Sequence, residues 1–509
     1  MGNLSQAKWG KYASQIGKEN AVRYTITKGI LVSVLIFSFF IACGTYNQDS
    51  QVKSYAFTHV TIINPADPSP VDDMTVVIKG NRIVSIEKSG SIAIPEETRV
   101  VDASGKFLIP GLWDFHIHSI QMGWPVQNDD WYKENTELSK KVILPLLVAN
   151  GITSIRDMGG NLETYNRWRG EIENGSITGP RMIFPGECLI SPNHPYGFDP
   201  CKDLLVTDAI EGRQAVIQLK NNGADFIKII SLPSEEILFA VADEAEKHGL
   251  PIVGHADYIP AAAASDSGYK CIEHIGGLMA DCADMETDFR SYFDNRYLLD
   301  NFSEARASAL FERLNANETW VCPTLAIYDC LFYNFYELNL NDSRMKYIPA
   351  YWKNASWMPY IQSMLKDKTA EDRSRDRETF EKHLEFVAKM HAAGVKILAG
   401  TDGGSPYNFP GFNLHKELVL LTRAGLTPLE ALKAATILPA EFLGMQDSLG
   451  SIEIGKIADL VLLDANPLEN IRNTTKIASV VLNGRILTRS DLDKILTEVE
   501  SAANNAKTN

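Results

Sequence analysis

The sequence predicts an α/β protein: a (β/α)8 barrel as the main body, with β-rich segments at both ends of the chain. Three observations predict it. Eight apolar, β-type runs alternate with helix-type stretches through the middle of the chain, the pattern of buried parallel strands. Both flanks read as short strands separated by turns. No G-x-G-x-x-G turn opens a helix after the first strand, which counts against an open doubly wound sheet.

The elements follow in order. Residues 29–42 (GILVSVLIFSFFIA) are almost wholly apolar and are preceded by Lys8, Lys11, Lys18, Arg23 and Lys28. This run is short for a membrane span and suits the core of an export signal. Phe40-Ile41-Ala42-Cys43 resembles a bacterial lipoprotein signal, in which the cysteine is lipidated. An uncleaved anchor helix with an unmodified Cys43 is the alternative. Both readings make the body exported, periplasmic and tethered to a membrane through residues 1–43, with a polar linker over 44–52.

Strand-type pieces then cover 57–64, 74–79 and 82–87, with Gly80 and Asn81 at a hairpin turn. The eight apolar runs of the middle are 107–116, 152–156, 181–184, 226–230, 252–255, 271–274, 319–324 and 396–400. Helix-type stretches include 207–221, 234–248 and 377–393. Gly223 and Gly394 follow two of them where a left-handed cap is wanted. From 279 to 377 the chain is unusually rich in aromatic residues and interrupted only by the seventh run. A connection that long reads as a lid, or as a helical subdomain with a small core of its own. Near the other end, 460–464 and 479–482 read as strands, and 485–509 is polar with a weak helix.

Net charge is −15. The first 42 residues are basic, so the body is more acidic still. It repels phosphate backbones, which excludes nucleic acid as a partner. Cys188 and Cys201, two of the seven cysteines, flank one Pro-rich loop and form a candidate disulfide; buried free thiols are the equal alternative. No C-x-x-C spacing indicates structural zinc.

In a strand, residues i and i+2 share a face. His116 and His118 therefore point the same way at the end of the first run, a half-site for a divalent ion. His255, His274 and Asp402 each close a later apolar run at the same level, the end of the strands where barrel active sites are built. Lys228 lies inside Phe226-Ile227-Lys228-Ile229-Ile230. A buried ammonium is costly, so its pKa falls and leaves a nucleophilic amine able to take up carbon dioxide as a carbamate. The alternative is a lysine that snorkels to a carboxylate or to solvent.

Together these residues resemble the amidohydrolase superfamily. Its pattern is H-x-H after strand one, a carboxylated lysine on strand four, histidines on strands five and six, and an aspartate on strand eight. The flanks are similar too: Phe107-Leu-Ile-Pro-Gly-Leu-Trp-Asp-Phe-His-Ile-His before the barrel, the stretch 427–440 as a late helix, and 450–464 as the return into a small β-sandwich. The resemblance spans about residues 55–490. It implies that both chain ends pair into one composite sandwich, 53–109 with 441–490, around a barrel at 110–440, leaving 491–509 as a polar tail. Within the superfamily the chain looks most like the imidazolonepropionase-like and Xaa-Pro or Xaa-Arg dipeptidase branch. Lys228 favours its binuclear, dipeptidase-like side.

The resemblance also implies the chemistry. His116, His118 and Asp402 would hold one divalent ion, His255 and His274 a second, both zinc, with carbamylated Lys228 as the bridge. A metal-bound hydroxide would attack the C–N bond of an amide, cyclic amide or dipeptide, with Asp402 as general base and then acid. Two alternatives stay open: a lactonase or phosphotriesterase-like hydrolase of the same fold, and an inactive metal-free binding lipoprotein. His194 and Tyr196, in the loop after the third run, and Tyr258, just past His255, are candidate substrate contacts; a proline-ordered loop and a packed ring are the structural alternatives. Arg156 and Asp157 read as an ion pair, and His415 as either a support for the site or core. His59, His248, His383 and His391 read as structural or surface residues. The expected partner is a small amide; self-association is left open.

Overall fold

In a computed structural model, the structure describes residues 54–120, 129–194, 203–283, 295–337 and 339–506. The export segment, Cys43, the linker, Tyr196 and Cys201 lie outside the described residues. The fold is α/β. Among the described residues seventeen strands form three sheets. Strands β1 (Ser54–Ile62), β2 (Val71–Lys79), β3 (Arg82–Lys88), β4 (Arg99–Asp102) and β5 (Phe107–Pro110) open the chain. β6 (Leu112–Ile117), β7 (Ile152–Asp157) and β8 (Arg181–Ile183) make a parallel three-stranded sheet. A parallel six-stranded sheet contains β9 (Cys188–Ile190), β10 (Asp203–Leu205), β11 (Ile227–Ile229), β12 (Ile252–Gly254), β13 (Tyr269–Glu273) and β14 (Trp320–Cys322), in the order β10-β9-β11-β12-β13-β14. β15 (Leu460–Leu463), β16 (Ile477–Leu482) and β17 (Arg485–Thr488) close the chain.

Strands from both chain ends share one sheet, in the order β17-β16-β15-β5-β1-β2-β3 with β4 beside β1. Its junction is β5 with β15, antiparallel, Leu460 opposite Pro110. Period-2 alternation explains its two faces. Leu460 and Leu462 join a core with Phe57, Val76 and Ile83. Val461 and Leu463 join the larger core with β6, β7 and the helices.

The expected strand 107–116 is therefore two strands. Gly111 breaks it, and a side chain there would collide with Thr153. The eighth expected run, 396–400, is not a regular strand. It touches both parallel sheets through a few bonds: Val321 N–H to Lys396 O at 3.0 Å, Leu398 N–H to Val321 O at 2.9 Å and Phe115 N–H to Ala399 O at 2.9 Å. β9 and β10 are two further short strands that the sequence reading did not include.

Helix starts follow their caps. Asp208 caps Ala209–Asn221 and Ser234 caps Glu235–Lys247. Thr369 and Asp372 form a capping box that starts Ala370–Ala392 seven residues before the expected 377. Gly223 and Gly394 take φ of 93° and 90° as left-handed caps. Among the described residues no helix is long and apolar enough to cross a membrane.

The reading of 279–377 as a subdomain with its own core is corrected: among the described residues, Tyr328, Phe335, Tyr347, Trp352 and Trp357 are buried in the same core as the parallel strands. The weak helix expected within 485–509 is Arg489–Asn505, started by a Thr488/Asp491 capping box. It buries Leu492, Val499 and Ala503 and packs on the helix Asp129–Ala149.

Candidate metal centre

The parallel strands place one side chain after another at their C-terminal ends. His116 stands at the end of β6 and His118 just beyond it. His255 follows β12, His274 follows β13, and Asp402 follows the 396–400 segment. His118 Nε2 lies 3.3 Å and His116 Nε2 3.5 Å from Asp402 Oδ1. The His274 ring sits 4.6 Å from His116 and 4.8 Å from His255, centroid to centroid. Lys228 projects from β11 between Ile227 and Ile229, whose side chains face the outer core. The structure thus brings together all six residues expected to form the site.

Close approach requires glycine at one position in particular. A Cβ on Gly400 would lie 2.7 Å from His116 Cβ and 2.5 Å from Cys322 Sγ, so the segment before Asp402 presses against β6 only because it lacks one. The backbone is strained where the ligands turn inward. His274, Thr324 and Asp402 have φ of 67°, 50° and 55°, which non-glycine residues rarely adopt. Hydrogen bonds hold this strain in place. Asp402 N–H donates to His116 O at 2.7 Å, and Asn408 Nδ2 donates to the carbonyls of Thr401 and Asp402 at 2.7 and 2.9 Å.

The electrostatics suit neutral ligands. Burial, followed by the charge of Lys228, drives His116 and His255 well below the usual imidazole range. Burial and then His116 do the same to His274. Burial lowers Lys228 as well. For Asp402, burial pushes the carboxyl up, but the hydrogen bond from His118 and the charges of His274, His118 and Lys228 outweigh it, leaving the carboxyl below its ordinary value.

The donor set fits a divalent cation. Among the described residues, His116 Nε2 and Lys228 Nζ are buried with no hydrogen-bond partner. His116 Nδ1 is engaged by Glu273 Oε2 at 2.7 Å, which assigns the proton to Nδ1 and leaves the Nε2 lone pair directed at the centre. Donor atoms of His116, His118 and Asp402 lie within 4.8 Å of one another. Imidazole and carboxylate donors at this spacing suit zinc and its neighbours.

Several residues that complete the centre were missed in the sequence. Glu273 bridges His116 and Arg156; Asp114 accepts from Thr401 N at 3.0 Å and Thr401 Oγ1 at 2.7 Å; Thr324 Oγ1 meets His274 Nδ1 at 2.7 Å. Burial pushes the Asp114 carboxyl up to about 7. Glu273 and Asp114 carried a readable signal: each is a charged residue inside an apolar run, the anomaly that singled out Lys228.

The remaining expectations sort as follows. Arg156 and Asp157 do not pair with each other, because consecutive strand residues face opposite sides. Arg156 Nη2 meets Glu273 Oε1 at 2.6 Å, while Asp157 accepts from Ser119 N at 2.7 Å, Ser119 Oγ and Tyr165 Oη. The His194 and Tyr258 rings are tilted against each other with centroids 5.2 Å apart, and the charge of His194 contributes to lowering His255, so this pair stands beside the centre. His415 is core: its ring meets Thr474 Oγ1 at 2.9 Å and Asn150 O at 3.0 Å. His383 is buried against Tyr328, and His59, His248 and His391 pair with surface carboxylates. Cys188 Sγ sits 3.2 Å from Met158 O; Cys271, Cys282, Cys322 and Cys330 are buried free thiols. A cavity of about 370 Å³ lined by Arg169, Arg181, Asp225 and Asp459 lies at the other end of the strands, contains none of the expected site residues, and has its arginines paired with its aspartates.

A cluster of strand-end histidines around an aspartate, with a buried lysine, on an α/β scaffold is a donor set that could hold a divalent ion at the end of the strands where such folds build their sites. Residues 107–487 match the amidohydrolase family, and the chain belongs to that family. Ochratoxinase from Aspergillus niger is 23% identical over 463 residues, 81% of this chain and 81% of its own length. Among solved structures, a Xaa-Pro dipeptidase with methionine bound in its active site superposes with a TM-score of 0.64 at 21% identity, over 86% of this chain and 100% of that one. Bottromycin amidohydrolase gives a TM-score of 0.68 at 19% identity, over 90% and 94%. These two likenesses concern the fold.

Proposed function

We propose that the chain is a binuclear, metal-dependent hydrolase of amide bonds, with dipeptides and N-acyl amino acids as its preferred class. The observation that carries this reading is Lys228. Its Nζ is buried without a hydrogen-bond partner among the described residues, and its charge is felt by both His116 and His255. As a carbamate it would join His116, His118 and Asp402 on one side to His255 and His274 on the other. These residues would hold divalent ions, zinc by preference, which when bound would supply polarisation of the scissile carbonyl and activation of water at neutral pH.

The chain's own residues do the rest. Asp402, kept ionised, accepts the proton of the attacking water and returns it to the departing amine nitrogen. His194 and Tyr258 orient the substrate carbonyl or carboxylate. Asn408 holds the carbonyl of Asp402 and so fixes its carboxylate. Two features support a closed (β/α)8 barrel as the scaffold: the bonds from 396–400 to β14 and β6, and the bond from Asp225 N–H to Phe184 O at 2.9 Å beside β8 and β11. The sheet shared by both chain ends supports reading 53–109 and 441–490 as one composite sandwich. Placement in the periplasm as a tethered lipoprotein rests on residues 29–43 alone; fractionation of cells expressing Cys43→Ser tests it, with release from the membrane expected and unchanged membrane retention against lipidation.

The test of activity is a screen of dipeptides, N-acyl amino acids, cyclic amides, lactones and phosphotriesters on the zinc-loaded protein. Hydrolysis of dipeptides or N-acyl amino acids that a chelator abolishes is expected. Turnover confined to lactones or phosphotriesters would overturn the amide assignment.

A further inference from the structure

Three histidines of the centre, His116, His255 and His274, have their Nδ1 atoms met in three different ways. Thr324 Oγ1 meets His274 at 2.7 Å, and Asp257 Oδ2 lies 3.3 Å from His255. His116 has Glu273 Oε2 at 2.7 Å, and Glu273 is itself clamped, its Oε1 accepting from Arg156 Nη2 at 2.6 Å. Arg156 is fixed in turn. Its Nε donates to Phe115 O at 2.7 Å, and its guanidinium lies 4.1 Å from the centre of the Phe115 ring. Arg156, Glu273 and His116 are all completely buried. Among the described residues no arginine or lysine is ion-paired with Asp257, and Thr324 is uncharged.

This geometry has a chemical consequence. The Arg156 guanidinium fixes the Glu273 carboxyl against His116 Nδ1, a support that Asp257 and Thr324 do not have. A carboxylate so fixed sets the tautomer and ring orientation of the histidine and raises the donor strength of the opposite nitrogen. That nitrogen, His116 Nε2, is the one 3.5 Å from Asp402. We infer that Arg156 and Glu273 are positioning residues that make the His116–His118–Asp402 position the tighter of the two metal positions, an inference that rests on the two-metal reading above. It assigns a task to the arginine within strand β7 and to the glutamate before His274, both of them buried beneath the centre.

The experiment is a titration of the metal-free full chain with Zn2+ against a competing chelator. Glu273→Gln alone strands the Arg156 charge in the interior, so the main variant is the pair Arg156→Met with Glu273→Gln, which removes both charges. Glu273→Asp is the second variant; it keeps both charges and draws the carboxylate away from His116. Thr324→Ala is the contrast. The wild type should show two binding events. Both Glu273 variants should weaken the tighter event by about 10- to 100-fold, the range for lost support of a ligating histidine. Thr324→Ala should weaken only the looser event. An unchanged tighter event in both Glu273 variants overturns the inference and leaves the centre standing. Absence of saturable Zn2+ binding in the wild type overturns the centre, and the inference with it.

Discussion

Asp402 and Asp459 are enclosed carboxylates at opposite ends of the same parallel strands, and their surroundings differ in kind. Asp459 faces the ends where β6 and β8 begin. Its carboxylate accepts from Asn483 N at 2.6 Å and lies 3.3 Å from Arg181 Nη2, while its backbone carbonyl accepts from Gly111 N at 2.7 Å. One residue thus ties the sheet of the chain ends to the start of two strands. Asp402 has a left-handed backbone, with φ of 55°, and faces two imidazole nitrogens at 3.3 and 3.5 Å. Two nearby nitrogens, on His116 and Lys228, have no hydrogen-bond partner among the described residues. The Asp459 carboxylate is met from within the protein, by a backbone amide and a guanidinium. The Asp402 end keeps strain and unspent donors, which is the state of a site awaiting a ligand.

The comparison predicts that the two ends fail differently. The largest effect belongs to Asp402→Asn, which should retain metal and melting temperature while kcat falls by about 10²- to 10⁴-fold, the usual span for a lost general acid–base; steady-state kinetics with metal analysis checks it. Next comes His415, buried away from the centre and pushed down to about 4 by desolvation. It is neutral when folded, so as pH falls the unfolded chain takes up the proton first. Stability contributed by the neutral ring is complete above pH 6.5 and declines by about 3 kcal/mol between pH 6.5 and about 4. Denaturant melts across that range should lose this part of the slope in His415→Gln. Asp459→Ala should cost about 1–3 kcal/mol by leaving the Asn483 amide and Arg181 without their acceptor, with kcat unchanged in the folded protein. Smallest is Thr427→Ala, which removes the capping box of the helix Pro428–Ala434. It should lower stability by about 1 kcal/mol and leave turnover alone.

Much of the Asp402 end was legible in the sequence because its ligands are polar residues that terminate apolar runs. Lys228 was legible because a charge inside Ile-Lys-Ile is anomalous. Glu273 and Asp114 carry the same anomaly, but what they touch depends on neighbouring strands more than a hundred residues away, and no local spacing reports it. Distance along the chain also explains the aromatics of 279–377. Their composition promises a core; which core they join is decided by the strands beneath them. For the helix Arg489–Asn505 the apolar stripe Leu492, Val499 and Ala503 was present, but a polar composition hid it until the helix Asp129–Ala149 supplied its partner. The break at Gly111 was hidden because 107–116 is one continuous apolar run whose two halves belong to different sheets.

The central claim is that Lys228 joins two metal positions, and metal stoichiometry in wild type and Lys228→Ala tests it most directly. The account predicts two divalent ions per chain in the wild type, one in the variant, and partial recovery of the second when acetate or propionate is added. Two ions per chain in Lys228→Ala without added carboxylate would contradict it.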